Sequence, residues 1–297
     1  QRPRAQLAVL DLPDAEDLPF ETGALLVTTI RQAPAEQLDG ILAHALTHAW
    51  MLSPRAWLSE GVAHFMGTLW TEKQRGREQA LGVLEASRQA LALAEPDSPG
   101  QATGQPLAQA ISPVYYRTKA AYVLWMLRDV AGDQTLSASL RAYDPAQDAG
   151  PVSGAGLAAA GRSSFEKLLE QAGVRRDLGW FFADWVDADK GLPELVIENA
   201  FSSTASAGNW LVSVNLANAG YATAEVPVTV RSGETSVTHR VRIPARGKLT
   251  ERLLIQGKPT EVQVNDGTIP EVQATMHVTR LDEAPAGAGA GGPPGPK

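Results

Sequence analysis

The chain has 297 residues, of which 44% are hydrophobic and 20% are charged, and its formal net charge is −7. This length and composition suit one large folded domain or two of ordinary size, and they argue against wholesale disorder. The acidic balance, with no cluster of lysine and arginine, argues against nucleic acid or an anionic membrane as the partner. Because the sequence has no cysteine, it excludes disulfides, thiolate catalysis and zinc sites built from cysteine.

The sequence contains neither the pattern of a membrane-spanning helix nor that of a signal peptide. No apolar run reaches the roughly 18 residues that a membrane-spanning helix requires. The sequence begins at Gln1 without the pattern of a signal peptide, and we interpret it as a processed form of an exported bacterial protein, secreted or periplasmic. The oligomeric state is not predicted.

The first two thirds of the chain read mainly as helices, after a strand predicted at "FETGALLVTT", residues 20–29. Pro34 and Pro54 each open an apolar helical pattern, and a charged helix is predicted over residues 72–94. Loops rich in Gly, Pro and Ser are expected around residues 95–112 and 144–163. The remaining predicted helices are "YYRTKAAYVLWMLRDVAG", ended by Gly132, then "SSFEKLLEQAG" and "DLGWFFADWVDADKG".

From Leu192 onward the pattern changes to short stretches that alternate apolar and polar residues, such as "NWLVSVNLAN" and "AEVPVTVRSG". Strands at this spacing predict an antiparallel β-sandwich. The fold class is therefore α+β and multidomain: a mostly helical domain over 1–191, an immunoglobulin-like β-sandwich over 192–283 and a flexible Ala/Gly/Pro tail over 284–297.

The candidate site is a set of metal-ligand side chains on two neighbouring predicted helices. His44 and His48 are four residues apart, so they share one helix face and can bind one ion together. Glu60, in "WLSEG" on the next helix, completes a set of two imidazoles and one carboxylate that leaves the fourth zinc position open. His64, one turn beyond Glu60, is a candidate to hold the ring of a ligating histidine. A histidine pair alone is more often structural, and Glu60 and "WLSEG" favour the metal site.

These residues carry a resemblance. "HALTHAW" followed by "WLSEGVAHF" resembles the gluzincin metallopeptidases, whose pattern is HExxH and then WLxEGxA, and it is most similar to the aminopeptidase N-like group. The short spacing between His48 and Glu60 favours that group's smaller bacterial relatives. The resemblance implies a thermolysin-like catalytic domain, Zn²⁺ held by His44, His48 and Glu60, and a peptide or protein substrate, glycoproteins included.

Two further assignments follow from the resemblance. The segment "YYRTKAAYVLW" resembles the family helix whose tyrosine supports the oxyanion. Arg117 occupies the tyrosine's place relative to Lys119, so Tyr116 is the first candidate and Tyr115 the second. On the predicted strand, which is a candidate edge strand for a bound peptide, Glu21 corresponds to the glutamate that holds the substrate's free amine. Two small residues of the same strand join it as candidate substrate contacts: Gly23 and Ala24.

Ala45 departs from the family pattern, which has the glutamate general base at this position. General-base help is worth about 10²–10⁴-fold, so this form is expected to be nearly inert as a peptidase while it keeps its metal. The alanine is either an engineered change or natural, and the intact ligands favour the former. The leading hypothesis is an inactivated zinc metallopeptidase, either amino- or endopeptidase. The alternatives are a zinc-containing module that binds peptides or glycoproteins without cleaving them, and a helical scaffold with core histidines.

Overall fold

The computed structural model describes residues 3–14, 19–31, 34–95, 105–148, 164–273 and 275–281. The tail predicted over 284–297 lies outside these residues, as do residues 96–104 and 149–163 of the two predicted Gly/Pro/Ser-rich loops. Helices dominate the chain up to residue 187, and strands follow from residue 195 to residue 280. None of the described helices is both long and apolar enough to cross a lipid bilayer.

A small mixed sheet precedes the helices, with strands β1 Ala8–Asp11, β2 Phe20–Thr22 and β3 Leu25–Thr28. The expected single strand over residues 20–29 is a hairpin, because Gly23 has a φ of +50° and lets the chain reverse within two residues. β3 is the central strand, paired in parallel with β1 and antiparallel with β2. β2 is therefore an edge strand of this small sheet, and it carries Glu21.

The helices pack mainly against their neighbours in sequence. The predicted helix over 72–94 is interrupted at Gly76, whose φ of +92° ends one helix and begins the next. Gly132, with a φ of +88°, separates two later helices in the same way. The helices are α1 Ala35–Trp50, α2 Ala56–Arg75, α3 Arg77–Ala94, α4 Ala120–Ala131, α5 Asp133–Ala142, α6 Ser164–Gln171 and α7 Gly179–Phe182.

Two wider turns of π-helix interrupt the helical pattern. The first, Val114–Lys119, leads directly into α4, and the second, Ala183–Asp187, continues α7. A π-turn holds one residue more than an α-turn, so it changes which side chains face a given direction. The first of these turns lies beside α2 and carries the residues that were expected to include the oxyanion-stabilising tyrosine.

After residue 191, the part of the chain that the structure describes contains seven strands in two antiparallel sheets. One has the order β10-β9-β6-β7 and the other the order β4-β5-β8. The inward side chains of both sheets belong to the same hydrophobic cluster, so the sheets pack face to face. The strands are β4 Leu195–Thr204, β5 Asn209–Asn218, β6 Ala224–Ser232, β7 Thr235–Ile243, β8 Lys248–Gln256, β9 Glu261–Val264 and β10 His277–Arg280.

The helices and the two sheets are joined by polar contacts as well as by this cluster. Arg77 at the start of α3 donates to Asp129 on α4 at 2.8 Å and to Asp266 beyond β9 at 3.0 Å. Arg240 on β7 donates to the same Asp129 carboxylate at 3.1 Å. Nearer residue 191, the Trp185 indole donates to the Thr223 carbonyl at 2.8 Å.

Gly61 fixes how closely α2 approaches the residues after the first π-turn. A Cβ at position 61 would overlap the Ala120 side chain and lie 3.3 Å from its carbonyl carbon. We expect Gly61→Ala to destabilise the protein by about 1–3 kcal/mol, because overpacking outweighs the better helix propensity of alanine. Gly82→Ala is the matched control, since nothing lies within 4 Å there, and it should stabilise by about 0.5–1 kcal/mol. Denaturant unfolding of both variants measures the difference, and two shifts of the same sign would contradict it.

Candidate metal centre

The centre is built on α1, where two histidines project from successive turns. Their Nε2 atoms lie 3.4 Å apart, and the side chains of His44 and His48 are only 8% and 1% exposed. Buried apolar neighbours, including Leu38 and Ala49, hold this helix against the rest of the protein. The spacing of four residues thus brings both imidazoles to one point.

Close packing of α1 on α2 brings Glu60 to the histidines. Gly40 and Gly67 lie where the helices meet, and a Cβ on Gly67 would come within 2.9 Å of the Gly40 carbonyl oxygen. At this separation Glu60 Oε2 lies 3.7 Å from His44 Nε2, and its Oε1 lies 3.5 Å from His48 Nε2. The three side chains that the sequence proposes as ligands therefore converge.

Glu21 joins the same cluster from the edge strand β2. Its Oε2 is 3.3 Å from His44 Nε2, and its Oε1 is 3.9 Å from His48 Nε2. One ligand atom from each of Glu21, His44 and His48 lies within 4.8 Å of the others, so these residues form a group that could hold a metal ion. The resemblance predicts that Glu21 holds a substrate amine, and the structure brings it beside the histidines as a candidate ligand.

The donor set fits a zinc-sized ion. Two nitrogens bound at 2.0–2.1 Å to one tetrahedral ion are separated by roughly 3.3–3.4 Å, which matches the observed 3.4 Å between the Nε2 atoms. Glu21 Oε1 is buried and has no hydrogen-bond partner among the described residues, so its lone pairs are available to coordinate a cation. Nitrogen and carboxylate donors are also the types that zinc takes when no thiolate is present.

Burial sets the protonation of the group. Burial lowers the pKa of His48 and lowers that of the neighbouring His64 to about 4, so both rings are neutral at pH 7. Burial raises the pKa of Glu21, whereas the nearby His44 imidazole lowers the pKa of Glu60. Neutral imidazoles and ionised carboxylates are the forms that bind metal, so Glu60 and His48 are prepared for it.

Arg117, which the sequence offers as a mismatch to the family pattern, is the residue of the first π-turn that reaches the cluster. Its Nη2 lies 3.2 Å from His44 Nε2 and 3.4 Å from Glu21 Oε2, and its Nε lies 3.5 Å from Glu60 Oε2. Sequence reasoning gave it no role. The feature of the sequence that could have indicated a role for Arg117 is its position two residues before Lys119, where the gluzincin pattern has the tyrosine.

The structure does not bring Tyr115 into the cluster. Its hydroxyl donates to the Ala94 carbonyl at 2.6 Å, and the Lys119 ammonium lies 5.6 Å from its ring centroid. Tyr116 packs part of its ring against the hydrophobic core, and none of its described contacts is with the two histidines. The π-turn accounts for this arrangement. Because it holds one extra residue, the Arg117 side chain points where an α-turn would point the side chain of a neighbouring residue.

His64 lies beside the cluster on α2, with its ring centroid 6.0 Å from that of His44 in an edge-on arrangement. Among the described residues, no hydrogen bond joins His64 to either of the two histidines on α1. The expected role of holding a ligand ring is therefore not seen, and His64 instead forms part of the cleft wall.

Three other residues singled out in the sequence lie near the cluster without joining it. Ala45 is fully buried on α1, and its methyl group offers no acid or base. Gly23 and Ala24 form the turn of the β2–β3 hairpin, and the Ala24 carbonyl accepts from the Ala8 amide at 2.7 Å. Neither lines the cleft at the cluster.

A cleft of about 500 Å³ opens onto the cluster. It is lined by residues of β2, β3, α1, α2, α3 and the first π-turn, among them Glu21, His44 and Arg117, whereas His48 and Glu60 do not line it. This volume is in the range of small-molecule and peptide sites. The arrangement can hold a cation.

No family model matches the sequence, and no curated protein matches it. Among solved structures, a β-glucosidase of Erythrobacter marinus is 17% identical over 31% of this chain and 16% of its own length, with a TM-score of 0.20. A β-glucosidase of Listeria innocua in complex with glucose is 13% identical over 41% of this chain and 20% of its own length, with a TM-score of 0.19. The chain thus spans a fifth or less of these proteins, and similarity this low carries no argument about fold or function.

Proposed function

We propose that the cluster is a zinc centre in which His44, His48 and Glu60 are the ligands, as in gluzincin metallopeptidases. The observation that carries the proposal is the 3.4 Å separation of the two Nε2 atoms, with the Glu60 carboxylate within 3.7 Å of both. This is the separation that two ligands of one tetrahedral ion require.

The activity that this centre supports best is the hydrolysis of peptide bonds. Zinc bound here would acidify its water and polarise the carbonyl of the substrate. The chain's own contribution is to hold a peptide in the cleft beside the edge strand β2, with the Glu21 carboxylate in the middle of that strand facing the histidines. The present sequence lacks the adjacent base, because Ala45 follows His44, so we expect binding without efficient cleavage.

A second candidate is a zinc-containing module that binds peptides or glycoproteins and never cleaves them. The buried methyl group of Ala45 favours it, as does the guanidinium of Arg117 in contact with His44. Both residues reduce the capacity for hydrolysis and leave the cleft open. The two candidates share the zinc and differ in what restoring a glutamate at position 45 would do.

The first test is a zinc titration of the whole chain after treatment with a chelator, with zinc content determined by elemental analysis. We expect one zinc per chain, and we expect the zinc-loaded protein to retain peptides from a mixed peptide and glycoprotein panel without cutting them. Less than about 0.1 zinc per chain at saturating zinc would contradict the proposal, and the histidines would then be core residues.

A further inference from the structure

The guanidinium of Arg117 touches three members of the cluster at once. It lies within 3.5 Å of Glu21, His44 and Glu60, and no other described cation is that close to any of them. We infer that Arg117 is an internal cation of this centre, which pairs with both carboxylates in the metal-free protein and competes with zinc for them. The inference rests on the proposed zinc centre and concerns how zinc loading is regulated.

The contacts of Arg117 with the two carboxylates resemble those that a metal ion would make. A strong arginine–carboxylate pair has two parallel hydrogen bonds of about 2.7–2.9 Å to one carboxylate. Here the distances are 3.4 Å to Glu21 and 3.5 Å to Glu60, one to each carboxylate. Arg117 Nε and Glu21 Oε1 are both buried without a hydrogen-bond partner. The guanidinium thus balances the charge of two acids and satisfies neither fully.

The charges of Glu21, Glu60 and Arg117 explain why Arg117 and zinc compete. Glu21 and Glu60 lie on opposite elements and face the same two imidazoles, so without a cation they repel each other. Arg117 reduces the net charge of the carboxylates from two negative charges to one. A divalent ion entering the cluster meets this guanidinium as a like charge at short range, and its binding is weakened accordingly. The Arg117 side chain is 41% exposed, so solvent screens part of this repulsion.

The test compares zinc affinity in variants of position 117, measured by competition with a chromophoric chelator. Arg117→Ala and Arg117→Met both remove the charge, and Met keeps most of the side-chain length. We expect each to bind zinc at least about tenfold more tightly than the parent, with the gap shrinking in high salt. Arg117→Lys keeps a charge and should stay closer to the parent. Arg252→Ala removes an exposed arginine from β8 and should leave the affinity unchanged.

Thermal unfolding gives a second measurement. A purely structural role of Arg117 would not produce the pattern of melting temperatures expected here. Without zinc, the neutral variants should melt below the parent, because two carboxylates lose their cation. With zinc, their melting temperature should rise by more than that of the parent, because tighter binding stabilises more.

The outcomes separate this inference from the proposed function. Zinc binding by the parent with equal or weaker affinity in both neutral variants overturns the role of Arg117 and leaves the zinc centre intact. Failure of the parent and of every variant to bind zinc overturns the centre and the inference with it. Zinc binding by the parent, with at least about tenfold tighter binding by both neutral variants, supports the centre and the role of Arg117.

Discussion

The Ala45→Glu variant is expected to cleave peptides about 10²–10⁴-fold faster than the parent chain when both are loaded with zinc. The substitution puts a carboxylate directly after His44, which is the position of the general base in the gluzincin pattern that this segment resembles. Ala45 is fully buried, so burial should raise the pKa of the new glutamate toward the working pH, which favours proton transfer. Cleavage of the peptide panel, followed by mass spectrometry, measures the rate and the sites.

Ala45→Gln is the matched control for this substitution. Glutamine has the same size and introduces the same packing change but cannot take a proton, so it should bind zinc and remain inactive. Activity in both variants would show that repacking, not a base, matters. If both hold zinc and neither cleaves anything, the hydrolase proposal fails and the cleft is a binding site. Comparing a free-amine peptide with its acetylated form then distinguishes aminopeptidase from endopeptidase action.

Removal of one imidazole is expected to weaken zinc binding by more than about 100-fold, since even residues that only support ligands are worth 10–100-fold. His48→Ala is the sharper choice because its ring is 1% exposed and its Nε2 faces His44 and Glu60. Zinc affinity by chelator competition is the measurement, and unfolding in the absence of zinc shows whether the variant is folded. His64→Ala, which changes a ring outside the proposed ligands, should retain zinc within about tenfold.

The same measurement distinguishes the two carboxylates. Glu60→Gln should cause a loss close to that of His48→Ala if Glu60 is a ligand. Glu21→Gln should then have the smaller effect, because its carboxylate acts beside the ion. The reverse order would assign the ligand role to Glu21, whose Oε2 is the closer of the two to His44, at 3.3 Å against 3.7 Å. Either order is compatible with a metal centre, and equal, negligible losses would exclude both carboxylates.

Part of the candidate site can be predicted because it depends on local periodicity. The interval between His44 and His48 is one helical turn, and the Pro54 turn folds the next helix back, so their convergence with Glu60 follows from the sequence. The change to alternating residues near Leu192 likewise locates the region of strands, which begins at Leu195. These features need no knowledge of distant contacts.

The contribution of Glu21 and Arg117 could not be predicted in this way. Glu21 reaches the cluster only because Gly23 turns the chain and makes β2 the edge strand, and Arg117 only because a π-turn adds a residue. Both depend on tertiary packing, which overrides the α-helical and single-strand patterns that the sequence favours. The assignment of the oxyanion role to Tyr116 stays a prediction.

The contacts of Arg77 and Arg240 with Asp129 have a thermodynamic consequence for the metal site. They join α3, α4 and β7 across the boundary that the sequence predicts at residue 191, and the hydrophobic cluster is continuous across it. We expect the stabilities of the helices and the sheets to be coupled in a chain joined in this way, which calorimetry of the zinc-free and zinc-loaded protein would measure. Free energy gained when an ion binds among the helices therefore also protects the strands, although they lie outside the cleft.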